Sequence, residues 1–413
     1  MNFFYNITVS LADLLLKAVA LFDPKIKLFV EGRKQTFARL RESIKKEDKV
    51  IWFHCASLGE FEQGRPIIEG AKKQFKDHKI LLTFFSPSGY EVRKNYTLAD
   101  LIVYLPLDTK NNAKMFVAMA HPSLAVFIKY EFWPNMLNAL KVSQTPAILV
   151  SGIFRADQAF FKFYGGWMRS SLKSFSHLFV QNENSKALLN QIEIKNVTVS
   201  GDTRFDRVFA IAQQDNQLDF IQNFVGDNYT LVAGSTWPRD EELLVSYIND
   251  NPGTDEKYII APHNINDKAI QELKSSIKKK TILFSERDGS EDARVFIVDT
   301  IGILTKIYSY ANVAYVGGGF GKSGIHNVLE PAAFGCPLII GPNFQKFQEA
   351  IDLVDNQACQ VIIDQTTLNH YLDKLRSDEN IRLKKGNAAK NYVLENTGAT
   401  KIILDCMRDI LKQ

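Results

Sequence analysis

Cysteine is scarce in this chain. The 413 residues hold four, Cys55, Cys336, Cys359 and Cys406, and no two lie two or three residues apart. That spacing excludes a CxxC zinc or redox pair. Single thiols in apolar surroundings read as buried side chains of a reducing compartment. Surplus charge of one sign is also missing. Fifty Lys and Arg stand against 46 Asp and Glu, a net charge of +4. Without a long basic run or an aromatic-basic repeat, a nucleic-acid partner is not expected. No signal peptide is expected either, because the start lacks a charged region and a small-residue cleavage site. The apolar stretch 3–22 is interrupted by Asp13 and Lys17, so it falls short of the roughly 20 apolar residues of a spanning helix. There is no GxxxxGK[ST] P-loop and no Asp-x-Asp. The first absence removes one phosphate-binding device. The second removes the usual carboxylate pair that holds a metal against a sugar nucleotide. His54, His263 and His326 lack ligand spacing with carboxylates, so no metal is expected.

What is present is ample apolar residue, 46% of the chain, enough for two or three packed domains. From Val50 the chain alternates short apolar runs with amphipathic stretches. Val50–Cys55, Ile80–Phe85, Leu101–Leu105, Leu124–Tyr130, Ala147–Val150, His177–Val180 and Val197–Ser200 read as buried strands. The pattern restarts with Tyr229–Ala233, Tyr258–Ala261, Thr281–Phe284, Val295–Val298, Val313–Val316, Pro337–Ile340 and Gln360–Ile363. Apolar strands alternating with helices predict parallel sheets covered on both faces. The expected fold is α/β, two doubly wound Rossmann-like domains facing across a cleft. Residues 46–206 form the first domain and 229–413, with C-terminal helices, the second. The polar, strandless stretch 207–228 reads as a linker. Residues 1–45 read as an amphipathic helical segment. There Leu11, Leu14, Leu15, Ala18, Val19 and Phe22 share a face, followed by Lys25, Lys27, Arg33 and Lys34. This suits a helix lying on an anionic membrane surface or one packed on its own domain.

In doubly wound sheets, sites lie beyond the carboxyl ends of strands. Ser57-Leu58-Gly59-Glu60 follows the first strand. It reads either as a capping box or as a base whose ionised form the helix N-terminus stabilises. Ser86-Pro87-Ser88-Gly89 and Glu131-Phe132-Trp133-Pro134-Asn135 follow two further strands, and Asp202-Thr203-Arg204 ends the first half. Arg204 offers a planar donor for a phosphate or an acidic sugar. The richest stretch is Gly317–Pro337, GGGFGKSGIHNVLEPAAFGCP. Its glycines admit close approach of backbone amides to a phosphate. Glu330, opening a helix, suits ribose hydroxyls.

In order, WFHCASLGE (52–60), TFFSPSGYE (83–91), KYEFWPN (129–135), VSGDTRFD (199–206), GSTWPRDEE (234–242), APH (261–263), VDTIGIL (298–304) and the 317–337 stretch resemble the motifs of the 3-deoxy-D-manno-octulosonic acid (Kdo) transferases. That family has the two-domain GT-B fold. The resemblance implies an inverting glycosyltransferase that moves Kdo from CMP-Kdo to a lipid A precursor in lipopolysaccharide synthesis. It places the enzyme at the cytoplasmic face of the cell inner membrane. It puts the general base on Glu60, with Glu131 and Arg204 as supporting catalytic residues. CMP contacts fall on Pro262, His263, Ile301, Gly302, Ile303, Gly319, Asn327, Val328, Leu329 and Glu330. CMP-Kdo is a co-substrate, so no cofactor is implied. Arg204, His263 and Ile303 stand where the family usually has lysine, arginine and glutamate. Two other readings share the architecture: a nucleotide-sugar epimerase, and an inactive membrane-attached nucleotide-sugar binder.

Overall fold

The computed structural model describes residues 2–253, 255–286 and 292–412. The chain divides into two compact units, residues 1–207 with 397–413, and residues 208–396. Among the described residues each unit is built on a seven-stranded sheet. The first comprises β1 (Lys49–Cys55), β2 (His78–Phe84), β3 (Leu101–Tyr104), β4 (Leu124–Ile128), β5 (Ala147–Gly152), β6 (His177–Val180) and β7 (Val197–Val199). Its order is β3-β2-β1-β4-β5-β6-β7. The second comprises β8 (Tyr229–Thr236), β9 (Glu256–Pro262), β10 (Thr281–Leu283), β11 (Val295–Ile297), β12 (Val313–Val316), β13 (Leu338–Ile340) and β14 (Cys359–Val361). Its order is β10-β11-β9-β8-β12-β13-β14. Every pairing is parallel.

The strands are apolar on both sides because both faces are covered. Along β1, Val50 and Trp52 join one buried cluster while Ile51, Phe53 and Cys55 join another. In β8, Leu231 and Ala233 face one cluster and Val232 the other. Strand order reverses between β1 and β4 in the first sheet, and between β8 and β12 in the second. At such switch points the flanking helices diverge to opposite faces and open a crevice at the carboxyl rim.

Two expected boundaries move. Residues 207–228 are not a linker. Helix Thr203–Ala212 runs through their first part, and helix Asp219–Val225 buries Ile221, Phe224 and Val225 against Val232, Ile259 and Phe296 of the second unit. The last helix, Ala399–Leu411, leaves the second half and belongs to the first unit. Ile403 and Met407 are fully buried in the cluster under β1. Asp206 fastens the start of that helix, accepting from the Gly398 and Thr400 amides at 2.6 Å each.

The N-terminal segment is three helices, Asn2–Val19, Pro24–Lys34 and Thr36–Ser43. The first keeps Phe4, Leu11, Leu14, Leu15 and Val19 exposed, and Leu21 and Phe22 follow in the turn after it. Its start is held by Tyr5, whose hydroxyl donates to Asp108 at 2.8 Å. Among the described residues no single helix is long and apolar enough to cross a membrane. One bent pair, Phe4–Val19 with Pro24–Ser43 at 120°, is so by length and composition.

Candidate active site

The first rim gathers three of the segments singled out by sequence. Ala56, just past β1, accepts the Phe85 and Ser86 amides from the end of β2, at 3.1 and 2.7 Å. Phe85 in turn lies against Trp133, ring centroids 4.7 Å apart, beside Glu131 at the end of β4. Lys129, between β4 and Glu131, takes the left-handed backbone at φ +67°. Such conformations in residues with a Cβ are held by their surroundings and cluster at functional sites.

Glu60 occupies the third position of the helix Leu58–Gln74. Its Oε2 accepts the Ser57 amide at 3.0 Å and the Ser57 hydroxyl. The carboxylate therefore does cap the helix, and it does so half-exposed on the rim, at the switch point. The two readings of Ser57–Glu60 are compatible in one geometry. Glu131 is more buried and more firmly held. Its Oε2 lies 3.1 Å from His54 Nε2 and accepts Trp133 Nε1–H at 2.7 Å. His54 is completely buried, and its Nδ1 lies 2.8 Å from the Thr83 hydroxyl, which accepts from Trp52 Nε1 at 2.8 Å. With the His54 proton on Nε2, the chain Trp52 to Thr83 to His54 to Glu131 is continuous, and Trp133 Nε1–H, 3.1 Å from the same nitrogen, donates to Glu131 at 2.7 Å. Burial and then the charges of Glu60, Glu131 and Glu62 push the Cys55 thiol well up. Asp108 fixes the helix Pro134–Val142 after Glu131, accepting the Asn135 and Met136 amides at 3.0 and 2.8 Å. Burial raises Asp108 to about 6 against these donors.

Arg204 begins the helix Thr203–Ala212 and is tied locally. Its Nε donates to Asp202 Oδ2 at 2.8 Å and its Nη2 lies 2.7 Å from the same oxygen. The expected free planar donor is thus already partnered along one edge.

The second rim joins the expected nucleotide segments. Glu330 Oε1 accepts from Asn327 Nδ2 at 3.0 Å, and Oε2 from Thr305 Oγ1 at 2.7 Å. That bridge brings 301–305 against 327–330. Ile301 is 88% exposed, Gly302 has φ +99° with open space around it, and Ile303 caps the helix Leu304–Ile307. Val328 and Leu329 are core side chains, so only their backbone could meet a ligand.

The glycine stretch departs from expectation. A Cβ on Gly319 would lie 2.6 Å from Gly341, so this glycine permits two backbones to touch. The amides of Gly317, Gly318, Gly321 and Gly324 all donate internally, to Gly234, Asp240, Gly318 and Gly321. The helix carrying Glu330 is only Leu329–Ala333, too short for much dipole. The stretch is first a packing device.

Sequence reasoning named His263 beside it but not the stack that His263 joins. Trp237 stacks on His263 (4.9 Å, 18°), and His263 on His326 (4.3 Å, 27°). Trp237 Nε1 donates to His326 Nε2 at 2.9 Å. Burial, followed by His263, lowers the His326 pKa, with Asp240 opposing, which suits an accepting nitrogen. Buried Asp240 locks this rim: Oδ2 accepts the Trp237 and Gly318 amides at 2.9 and 2.8 Å, and Oδ1 the Tyr315 hydroxyl at 2.7 Å. A cavity of about 1000 Å³ in this unit lies elsewhere, lined by Tyr247, Asn251 and Asp373 near the start of β9.

Residues 31–207, which include the whole first rim, match the family model described as 3-Deoxy-D-manno-octulosonic-acid transferase (kdotransferase). Over that segment the chain is similar to the Kdo transferases. Among the family's members, the 3-deoxy-D-manno-octulosonic acid transferase of Aquifex aeolicus is 29% identical over 322 residues, 77% of this chain and 83% of the relative. That of Haemophilus influenzae is 25% identical over 387 residues, 88% of this chain and 87% of the relative. Solved structures share the fold. The UDP-GlcNAc 2-epimerase of Neisseria meningitidis aligns with a TM-score of 0.60 at 14% identity, covering 87% of this chain and 100% of that one. MurG of Acinetobacter baumannii aligns at 0.54 and 10%, covering 88% and 99%. The motifs of the first half sit on a rim whose glutamates are built in place, and those of the second half on a rim of stacked rings.

Proposed function

We propose that this glycosyltransferase moves Kdo from CMP-Kdo to a lipid A precursor during lipopolysaccharide synthesis. The observation that carries the reading is the pair of glutamates on one switch-point rim: Glu60 half-exposed at a helix start, Glu131 fixed by His54 and Trp133. In the single displacement, Glu60 removes the proton from an acceptor hydroxyl. The hydroxyl oxygen bonds to the anomeric carbon of Kdo from the face opposite the phosphate. The carbon–oxygen bond to CMP breaks, and CMP leaves with the electron pair, so the configuration inverts. On the second rim, Glu330 is placed to accept from ribose hydroxyls in exchange for its Thr305 and Asn327 donors. The rings of Trp237, His263 and His326 offer flat surface to the nucleotide. With the amides of Gly317, Gly318, Gly321 and Gly324 engaged, the exposed turn residues Lys322 and Ser323 are left to meet charge on departing CMP. The exposed leucines of the first helix, followed by Lys25 and Lys27, suit attachment at the cytoplasmic face of the inner membrane, where the acceptor lipid is presented.

The test is incubation with CMP-Kdo and a tetra-acylated lipid A precursor, followed by mass spectrometry of the lipid and assay of free CMP. The expected result is lipid heavier by Kdo residues, with matching CMP release. A folded protein that releases no CMP and adds no mass overturns the reading. Epimerisation of UDP-GlcNAc in the same preparation would replace it with the epimerase reading.

A further inference from the structure

The segment between β5 and the helix Gly166–Leu172 ends in an unusual surface. Phe163 is 95% exposed and Tyr164 is 55% exposed, the two rings edge to face at 5.2 Å. A loose loop would bury or average such rings; this one is built. Two successive short turns, Ala159–Phe161 and Phe163–Gly165, carry it. Gly165 makes the closure possible, since a Cβ there would lie 1.8 Å from the Ala159 carbonyl oxygen. Beneath the tip, buried Phe160 packs on Phe132 at 4.9 Å and on Phe154 at 6.0 Å. Phe132 is the neighbour of Glu131, so the tip and the candidate catalytic rim share one aromatic base.

The tip also adjoins the first helix. Trp167, three residues beyond Tyr164, contacts Tyr5 with ring centroids 6.3 Å apart. Tyr5 follows exposed Phe4 at the start of that helix. Two separate exposed apolar elements therefore meet at the Tyr5–Trp167 contact. Charge follows the same map. Residues 1–46 hold nine Lys and Arg against four Asp and Glu, and residues 153–173 hold four against one. Together these surpluses of five and three exceed the +4 of the entire chain. Exposed rings flanked by cations match the acyl–headgroup boundary of an anionic bilayer, where aromatic side chains are favoured and lysines meet lipid phosphates.

We propose that Phe163 and Tyr164 form a second bilayer-insertion point, which with the first helix seats the Glu131 rim against an anionic membrane. The proposal rests on the membrane reading given under Proposed function. Two contacts, rather than one flexible anchor, fix the orientation of the rim toward a lipid-borne acceptor.

The experiment uses the full-length protein and vesicles of phosphatidylcholine with and without phosphatidylglycerol. F163S/Y164S is compared with L14S/L15S and the parent in vesicle sedimentation. F163W is measured for fluorescence quenching by brominated lipid acyl chains. The side chains are on the surface, so melting temperatures should match the parent. The expected result is that F163S/Y164S weakens binding to anionic vesicles about 10-fold or more, and that F163W is quenched beyond the parent's own tryptophans. If the parent binds, L14S/L15S loses binding and the tip variant does not, with no added quenching, the insertion point is overturned and the membrane reading stands. Failure of the parent to bind any vesicle overturns both. A tip variant that changes only self-association of the chain, not vesicle binding, also overturns the proposal in favour of a second copy as the occupant.

Discussion

The two rims hold their glutamates in different ways. On the first, Glu131 is nearly buried and fixed by His54 and Trp133, whose partners lead into the core at Thr83 and Trp52. Glu60 stands on the first turn of a 17-residue helix. On the second, Glu330, in a five-residue helix, is held by an exposed asparagine just before it and a threonine of another short helix. The first arrangement preserves the position of a charge while chemistry proceeds around it, as preorganisation requires. The second can exchange its partners for those of a ligand. Mutations on the first rim should therefore act on turnover, and mutations on the second on affinity.

The largest expected effect tests that division at Glu60. Glu60→Gln keeps size and one carbonyl acceptor for the Ser57 amide, but glutamine takes no proton at neutral pH. Turnover at saturating substrates should fall about 10²–10⁴-fold while CMP affinity and melting temperature hardly change. If Glu60 serves only as the cap seen in the structure, turnover stays near normal and stability shifts by about 1 kcal/mol. That outcome would move the base to Glu131.

Glu330→Ala sharpens the other side. Removing a charged acceptor costs about 1.5–3 kcal/mol, so calorimetry should show CMP binding weakened roughly 10- to 150-fold. Unchanged affinity would take Glu330 out of the donor site, and a large loss of turnover at saturation would blur the contrast between the rims.

Reading the sequence recovered the fold well because parallel strands covered on both faces are continuously apolar, and all fourteen expected strands are present. It misplaced what depends on partners distant in sequence. Asp219–Val225 looks polar until Ile221, Phe224 and Val225 are seen to share one face. The helix Ala399–Leu411 carries an obvious apolar stripe, but nothing in residues 397–413 tells which unit will receive Ile403 and Met407. The glycines of 317–324 suggested a phosphate cradle, since composition cannot distinguish an amide open to a ligand from one donating to Asp240 or Gly234. Trp237, His263 and His326 come from three segments, and only the sheet order brings them together. The available signal was that Trp237 and His263 each lie just beyond a strand's carboxyl end, whereas His326 follows β12 only after ten residues.

A pH prediction probes how firmly the first rim is clamped. Asp108 holds the helix after Glu131, and burial raises its pKa from 3.8 to about 6. Below pH 4 both folded and unfolded chains carry its proton; above pH 6 neither does. Between those limits the folded chain binds the proton more strongly, so its stabilising contribution is present at low pH and is lost as pH rises. The change amounts to about 2–3 kcal/mol. Asp108→Asn should remove this downward component from the urea stability profile between pH 4 and 6. A variant profile parallel to the parent's would show that Asp108 titrates normally.

The smallest effect is expected at Arg204, where the comparison of rims is most easily upset. Arg204 belongs to the first unit, and sequence reading made it a supporting catalytic residue there, a cation for the acidic sugar. The structure pairs it with Asp202 through Nε and Nη2, and its side chain is about one-third exposed. A partly exposed ion pair contributes little to stability. If its purpose is to supply positive charge to the acidic sugar, Lys preserves that charge while losing the planar fork. Arg204→Lys should then keep turnover within about threefold and raise KM for CMP-Kdo modestly. Arg204→Ala should weaken the donor more than the lysine variant does. Equal behaviour of the two variants, with both near the parent, would assign Arg204 to the local pair with Asp202 alone. Turnover falling tenfold or more in the lysine variant would instead place the guanidinium geometry among the fixed, preorganised features of the first rim.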